Sequence, residues 1–364
     1  MSGWSAIHIA ADSEAVEMVS WLLENGAPVD AETFGFSHPG RTALHFAAAK
    51  SPDAGPRMVK ELLKRGAKAN MPTRQGGNTP LHYAIDGRSV ETVEILLSSS
   101  ADANVRNSSG ITPLHKAAAI PGLEAVVEAL LKGGADPRRK TGMGTASTAR
   151  KLIALKSTDN IKQAYYSGTS QTSLHIAVKV KDAQRTVEVL LKNGADPNCQ
   201  DGAGQTSLHA TMVGVDPEGY TKLLLDSGAD VNAQDRDGKT PLLLFLQAAG
   251  ATAAKLQAVD QQASRERTVD LLLSAGANPS AEGNDKQSPI RYATEAELEW
   301  ALKRLTLKLK EDDKPNADDP IVPTKEIAKP EANGIETKFK SLLGSQGASA
   351  AGANMLKSKW NRKK

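Results

Sequence analysis

A four-residue phrase constrains this chain more than any other feature. It stands at Thr79-Pro80-Leu81-His82 and again at Thr112-Pro113-Leu114-His115. Variants occur at Ser5-Ala6-Ile7-His8, Thr42-Ala43-Leu44-His45, Thr172-Ser173-Leu174-His175 and Thr206-Ser207-Leu208-His209. Two more copies, opening at Thr240-Pro241-Leu242 and Ser288-Pro289-Ile290, lack the histidine. Leu-Leu pairs follow at Leu22-Leu23, Leu62-Leu63, Leu96-Leu97, Leu130-Leu131, Leu190-Leu191, Leu224-Leu225 and Leu272-Leu273. Gly-Ala comes after all but one of these pairs; the exception has Ser100-Ala101. Successive motif histidines lie 37, 37, 33, 60 and 34 residues apart. A period of this size means units that cannot bury an apolar face alone and must stack.

The residue types explain the unit. A Thr or Ser before Pro opens a helix, because the hydroxyl caps free N–H groups and Pro tolerates the first helical position. Leu81 and Ala84 share one side of that short helix. Small residues such as Ala47-Ala48 and Ala117-Ala118 let neighbouring helices approach. Val93, Leu96 and Leu97 predict a second helix over Val90 to Ser98. Gly66, Gly134 or Gly194 then supplies the left-handed conformation that ends it, and Asn70, Asn104, Asn198, Asn232 and Asn278 open a polar loop.

These phrases and their spacing resemble the ankyrin-repeat family, over about residues 3–305. The resemblance implies an all-α solenoid of helix-turn-helix units with β-hairpin fingers, about eight repeats long. It also implies binding of other proteins on the concave groove and finger tips. The motif histidines (His8, His45, His82, His115, His175 and His209) are expected to be structural, each hydrogen-bonded to backbone at a finger base.

Three irregularities interrupt the period. The 60-residue histidine step exceeds a period of about 33 by the length of a near-repeat. Its extra segment, 142–168, carries Leu152, Ile153, Leu155 and Ile161 and predicts a degenerate repeat of two short helices stacked in the array. The first finger, Thr33 to Gly40, is long and holds Phe34 and Phe36. The seventh unit inserts Gly250 to Arg267, whose Ala/Gln/Lys content predicts an extended helical arm. At the other end, Gly3-Trp4 already sits inside the motif, so either Trp4 is partly exposed or further repeats precede it.

Catalytic chemistry finds no constellation. Cys199 is the only cysteine, which excludes an internal disulfide and multi-cysteine metal sites. Histidines one repeat apart are separated by about 8–10 Å of helix packing, too far to share a metal. Gly142-Met143-Gly144 lacks the third glycine and the preceding strand of a dinucleotide fingerprint. No cofactor, metal or small-molecule substrate is expected, and no enzyme activity. No stretch reaches the roughly 18 apolar residues of a membrane helix, and no signal peptide is visible; the cytoplasm or nucleus, or both, fits.

A protein partner is expected on the inner face of the first four units. The position after the motif histidine is Ile9, Phe46, Tyr83, Lys116 and Ile176, and exposure is expected there. Phe34, Phe36, Phe46 and Tyr83 are candidate apolar anchors. Arg74, Arg106, Lys116, Arg138 and Arg139 would meet an acidic segment of the partner, whereas later fingers carry Asp201, Asp235, Asp237 and Asp285.

From Lys303 onward the chain has 14 Lys/Arg against 8 Asp/Glu, so its basic excess is terminal. Residues 306–364 read as a disordered, lysine-rich tail by composition. Its end, Lys357 to Lys364, is basic around Trp360 and is the one place expected to meet nucleic acid or an anionic surface. The reading is a protein-interaction scaffold or adaptor. The alternative is a nuclear regulatory protein whose tail contacts nucleic acid while the repeats hold a protein.

Overall fold

The computed structural model describes residues 3–34, 38–142, 170–214, 216–253 and 259–312. Among them, helices come in eight successive pairs. The pairs are α1 Ala6–Asp12 with α2 Val16–Glu24, α3 Ala43–Ala48 with α4 Gly55–Lys64, and α5 Pro80–Gly87 with α6 Val90–Ser98. Next come α7 Pro113–Ala118 with α8 Glu124–Lys132, α9 Ser173–Ala177 with α10 Gln184–Lys192, and α11 Ser207–Met212 with α12 Pro217–Asp226. The last are α13 Pro241–Ala253 with α14 Val259–Ser274, and α15 Pro289–Glu295 with α16 Glu299–Asp312. First helices pack against first helices and second against second along the stack. Leu44, Leu81, Leu114 and Leu174 from one row meet Leu62, Leu96, Leu130 and Leu190 from the other, all fully buried. Each such leucine contributes roughly 1.5–3 kcal/mol by leaving water.

Local chemistry sets each unit's boundaries. Thr79 sits at the N-cap in extended conformation and Pro80 begins the helix. Gly66 ends α4 at φ 87°, and Ser100 takes the same left-handed place at φ 64° without a glycine's freedom. The asparagines staple neighbouring units: Asn104 donates to Gly134 O at 2.7 Å and accepts from Asp136 N at 2.8 Å. Asn70 and Asn198 repeat this arrangement.

The fingers are hairpins in path rather than in ladder. Among the described residues the one β-bridge is isolated, Lys140 with Thr172. Side chains close the turns instead: Asn107 Oδ1 accepts from Ser109 N and Ile111 N, both at 3.0 Å. Asp201 and Asp235 do the same in their fingers.

The array runs unbroken past the long histidine step. Helix α9 packs on α7 and α10 on α8. His115 Nε2 reaches Gln171 O at 3.1 Å, the contact every other motif histidine makes to the next finger. Thr141 N donates to Gln171 O at 2.7 Å. The expectation that 142–168 stacks between these units is therefore corrected: the two are direct neighbours, and the chain leaves and returns at one finger. Residues 143–169 themselves lie outside the described residues.

The arm predicted in the seventh unit takes helical form on both sides of 254–258, which lie outside the described residues. Gly250 to Ala253 continue α13, and Val259 to Arg267 open α14. Arg267 Nε pairs with Glu218 Oε1 at 2.7 Å, and Arg304 with Glu266 and Asp270 at 2.9 and 2.7 Å, tying α14 to its neighbours. Helix α16 continues past residue 305 to Asp312. No helix among the described residues is long and apolar enough to cross a membrane.

Candidate partner-binding surface

The motif histidines are built into each finger base. Each Nδ1 accepts from the backbone N–H at the N-cap, 3.0 Å for His45 and 3.2 Å for His82. Each Nε2 faces a carbonyl of the next finger, at 2.7 Å for His8, 2.9 Å for His45 and 3.0 Å for His82. His175 and His209 repeat the pattern at 2.9 and 3.0 Å. An acceptor role for Nδ1 forces the Nε2–H tautomer. Burial pushes the imidazole pKa of His45, His82, His115 and His175 down to about 4, so these rings are neutral. Among the described residues no three His, Cys, Asp or Glu side chains gather to hold a metal. Burial pushes the Cys199 thiol pKa up, with the Lys140 charge opposing; a raised pKa disfavours the thiolate a nucleophile needs.

The expected exposure after the motif histidine is corrected for Phe46 and Tyr83, which are 3% and 8% exposed. Phe46 lies against Trp4 at 4.7 Å between ring centres and against His8 at 6.0 Å, both on its N-terminal side. Tyr83 meets His45 at 5.6 Å, and the Arg41 guanidinium sits 4.5 Å above its ring. The neighbouring unit thus covers the position. Ile9 shows the cause by contrast: nothing described stacks on its N-terminal side, and it is exposed. Ile176 is buried. Lys116 is half-buried, donating to His82 O at 2.8 Å and Asp86 Oδ2 at 2.7 Å. These residues hold the inner face together.

Phe34 is different. Thr33, fully buried, pins the finger through Thr33 N to Arg41 O at 2.8 Å and Gly40 N to Thr33 O at 2.9 Å. Gly40, at φ 75°, lies so near Arg74 that a Cβ would come 2.5 Å from its Cγ. The next residue, Phe34, is 61% exposed. Its ring lies 5.7 Å under the Arg74 guanidinium, which also pairs with Glu32 at 2.7 Å. Phe36 falls in 35–37, outside the described residues.

Further along, Arg106, Arg138 and Arg139 are exposed and Lys140 is half-buried. Arg106 donates to Lys140 O at 2.7 Å, Arg139 to Asn104 O and Arg138 to Gly194 O, both at 3.2 Å. Each guanidinium carries five donors, so one anchoring bond leaves others for a ligand while ordering the side chain. Sequence reasoning missed Arg41, which lies over both Phe46 and Tyr83. Nor did it separate Asp201 from the other finger acids, although its carboxylate closes a turn and the residue is buried.

The family model described as ankyrin repeats matches three times, over residues 2–71, 48–141 and 174–256. This chain belongs to the ankyrin-repeat family. Among curated relatives, the mouse B-cell lymphoma 3 protein homolog is 31% identical over 134 residues, 37% of this chain and 29% of that one. Human neurogenic locus notch homolog protein 4 is 40% identical over 116 residues, 32% of this chain and 5% of that protein. The chain thus matches only a minor part of the relatives' length. In structure it is similar to the ankyrin repeat domain of Bcl-3, with TM-score 0.51 and 24% identity, covering 67% of this chain and 95% of that one. The human ASB11 ankyrin repeat domain gives TM-score 0.53 at 23% identity, covering 72% and 98%. Both show the fold.

Proposed function

We propose that the chain is a non-enzymatic protein-interaction scaffold whose repeats grip an acidic, partly apolar segment of a partner protein. The observation that carries this reading is the row of exposed, pre-ordered cations at the fingers, Arg74, Arg106, Arg138 and Arg139, beginning beside the exposed ring of Phe34. Bidentate guanidinium contacts suit carboxylates, and an aromatic anchor beside them suits a hot spot. Phe46 and Tyr83 serve this surface from behind, by fixing the finger that carries Phe34. The protein would act in the cytoplasm, the nucleus or both.

The test is calorimetric titration of the full chain with a synthetic glutamate-rich peptide containing one phenylalanine. Binding should weaken with salt and drop by about 2 kcal/mol in the Phe34→Ala/Arg106→Ala/Arg139→Ala variant. Equal binding by the variant refutes the reading. A second reading rests on the basic end, Lys357 to Lys364: a nuclear regulator touching nucleic acid there. It requires a salt-dependent DNA or RNA affinity that vanishes when residues 341–364 are removed.

A further inference from the structure

The N-terminal end face of the stack carries three apolar side chains in the open: Ile9 at 54%, Met18 at 50% and Trp21 at 57%. Met18 occupies the repeat position held elsewhere by Met58, Thr92, Val126 and Tyr220, all buried. In those units a preceding second helix packs alongside. At α2 nothing among the described residues does. The surroundings are acidic: residues 1–40 hold six Asp/Glu and no Lys or Arg. Basic side chains of the second unit reach four of them, Lys50 to Asp12, Arg57 to Glu17, Arg65 to Glu24 and Arg74 to Glu32. Glu17 and Glu24 remain well exposed, and Glu14 is exposed as well.

The chain beyond Asp312 contains one segment with the matching pattern. Ile335, Phe339, Leu342 and Leu343 recur at the spacing of Leu123, Val127, Leu130 and Leu131 around α8. Gly344 follows as a helix stop. Lys338 and Lys340 lie between the apolar positions, and residues 324–364 hold nine Lys/Arg against three Glu. The segment therefore combines the apolar face of a second helix with charge opposite to that of the first unit.

We propose that Ile335 to Leu343 docks as a helix on the face formed by Ile9, Met18 and Trp21, taking the place a preceding second helix holds elsewhere in the stack. Twenty-two residues separate Asp312 from Ile335, a reach of about 75 Å at full extension. The seven steps of the stack, at about 10 Å each, span about 70 Å. The segment reaches its own first unit only almost fully extended, and reaches that of a second copy without strain.

Hydrogen exchange of the full 364-residue chain, read by mass spectrometry, tests this. Amides of 335–343 should exchange about tenfold more slowly than those of an unstructured peptide. Protection should be lost in Met18→Glu/Trp21→Glu, whose altered side chains are exposed, and equally in Phe339→Glu. Protection that rises with protein concentration assigns the contact to two copies, and protection independent of concentration to one; both support docking. Free exchange at 335–343 in the unaltered protein overturns the proposal. So does protection surviving Met18→Glu/Trp21→Glu, or a dimer by sedimentation that Phe339→Glu leaves intact.

Discussion

Acid should dissolve this stack at a pH where its carboxylates are still charged. His45, His82, His115 and His175 have pKa values near 4 in the folded protein against 6.5 for a free imidazole. Between those values the unfolded chain binds protons that the folded chain refuses, so stability falls as pH falls. The stabilisation is complete above pH 6.5 and disappears as pH drops toward 4. From pH 7 to pH 5, each histidine loses about 2 kcal/mol by this linkage, and four unfolding together lose about 8 kcal/mol. That rivals the whole stability of a typical domain. Urea unfolding followed by circular dichroism from pH 7.5 to 5 measures it. His82→Gln keeps an N–H for the Ile111 carbonyl but cannot titrate, so its pH slope should be about a quarter shallower. A midpoint unchanged between pH 7 and 5.5, or a slope unaltered in His82→Gln, would refute the argument. Because repeats unfold in neighbouring groups, exchange measured unit by unit should show the loss first at α3 to α10.

Four further outcomes are expected. Phe46→Ala should destabilise by about 3 kcal/mol or more as a core cavity, whereas Phe34→Ala should leave thermal unfolding nearly unchanged. Ser100→Gly should raise stability by about 0.5–1 kcal/mol, because the left-handed φ of 64° costs a side chain and not a glycine. Asn104→Ala should cost about 1–2 kcal/mol in thermal unfolding, since it removes both bonds of one staple. Replacing 142–170 by Ser-Ser-Gly, the tip at 108–110, should preserve helicity and melting temperature within a few degrees, because Thr141 and Gln171 are already paired; collapse of the fold would restore a stacked unit at 142–168.

Much of the architecture was legible because the local signals repeat. The caps at Thr79 and Thr112, the Leu-Leu pairs and the glycines after them each act within a few residues, so sequence alone placed the helices. The same holds for the histidines, whose Nδ1 partner is three residues upstream. What only the stacked structure decided depends on neighbours. Ile9 and Phe46 hold the same repeat position, yet one is exposed and the other buried, because Trp4 and His8 cover only the second. Asp201 and Asp237 read alike as finger acids, but one closes its turn and the other faces solvent. The extra segment in the long histidine step has nearly the length of a repeat, and its apolar spacing fits a helix; neither property says whether the flanking units already touch. Period and propensity are carried by adjacent residues, whereas burial is set by whatever side chain arrives from the next unit.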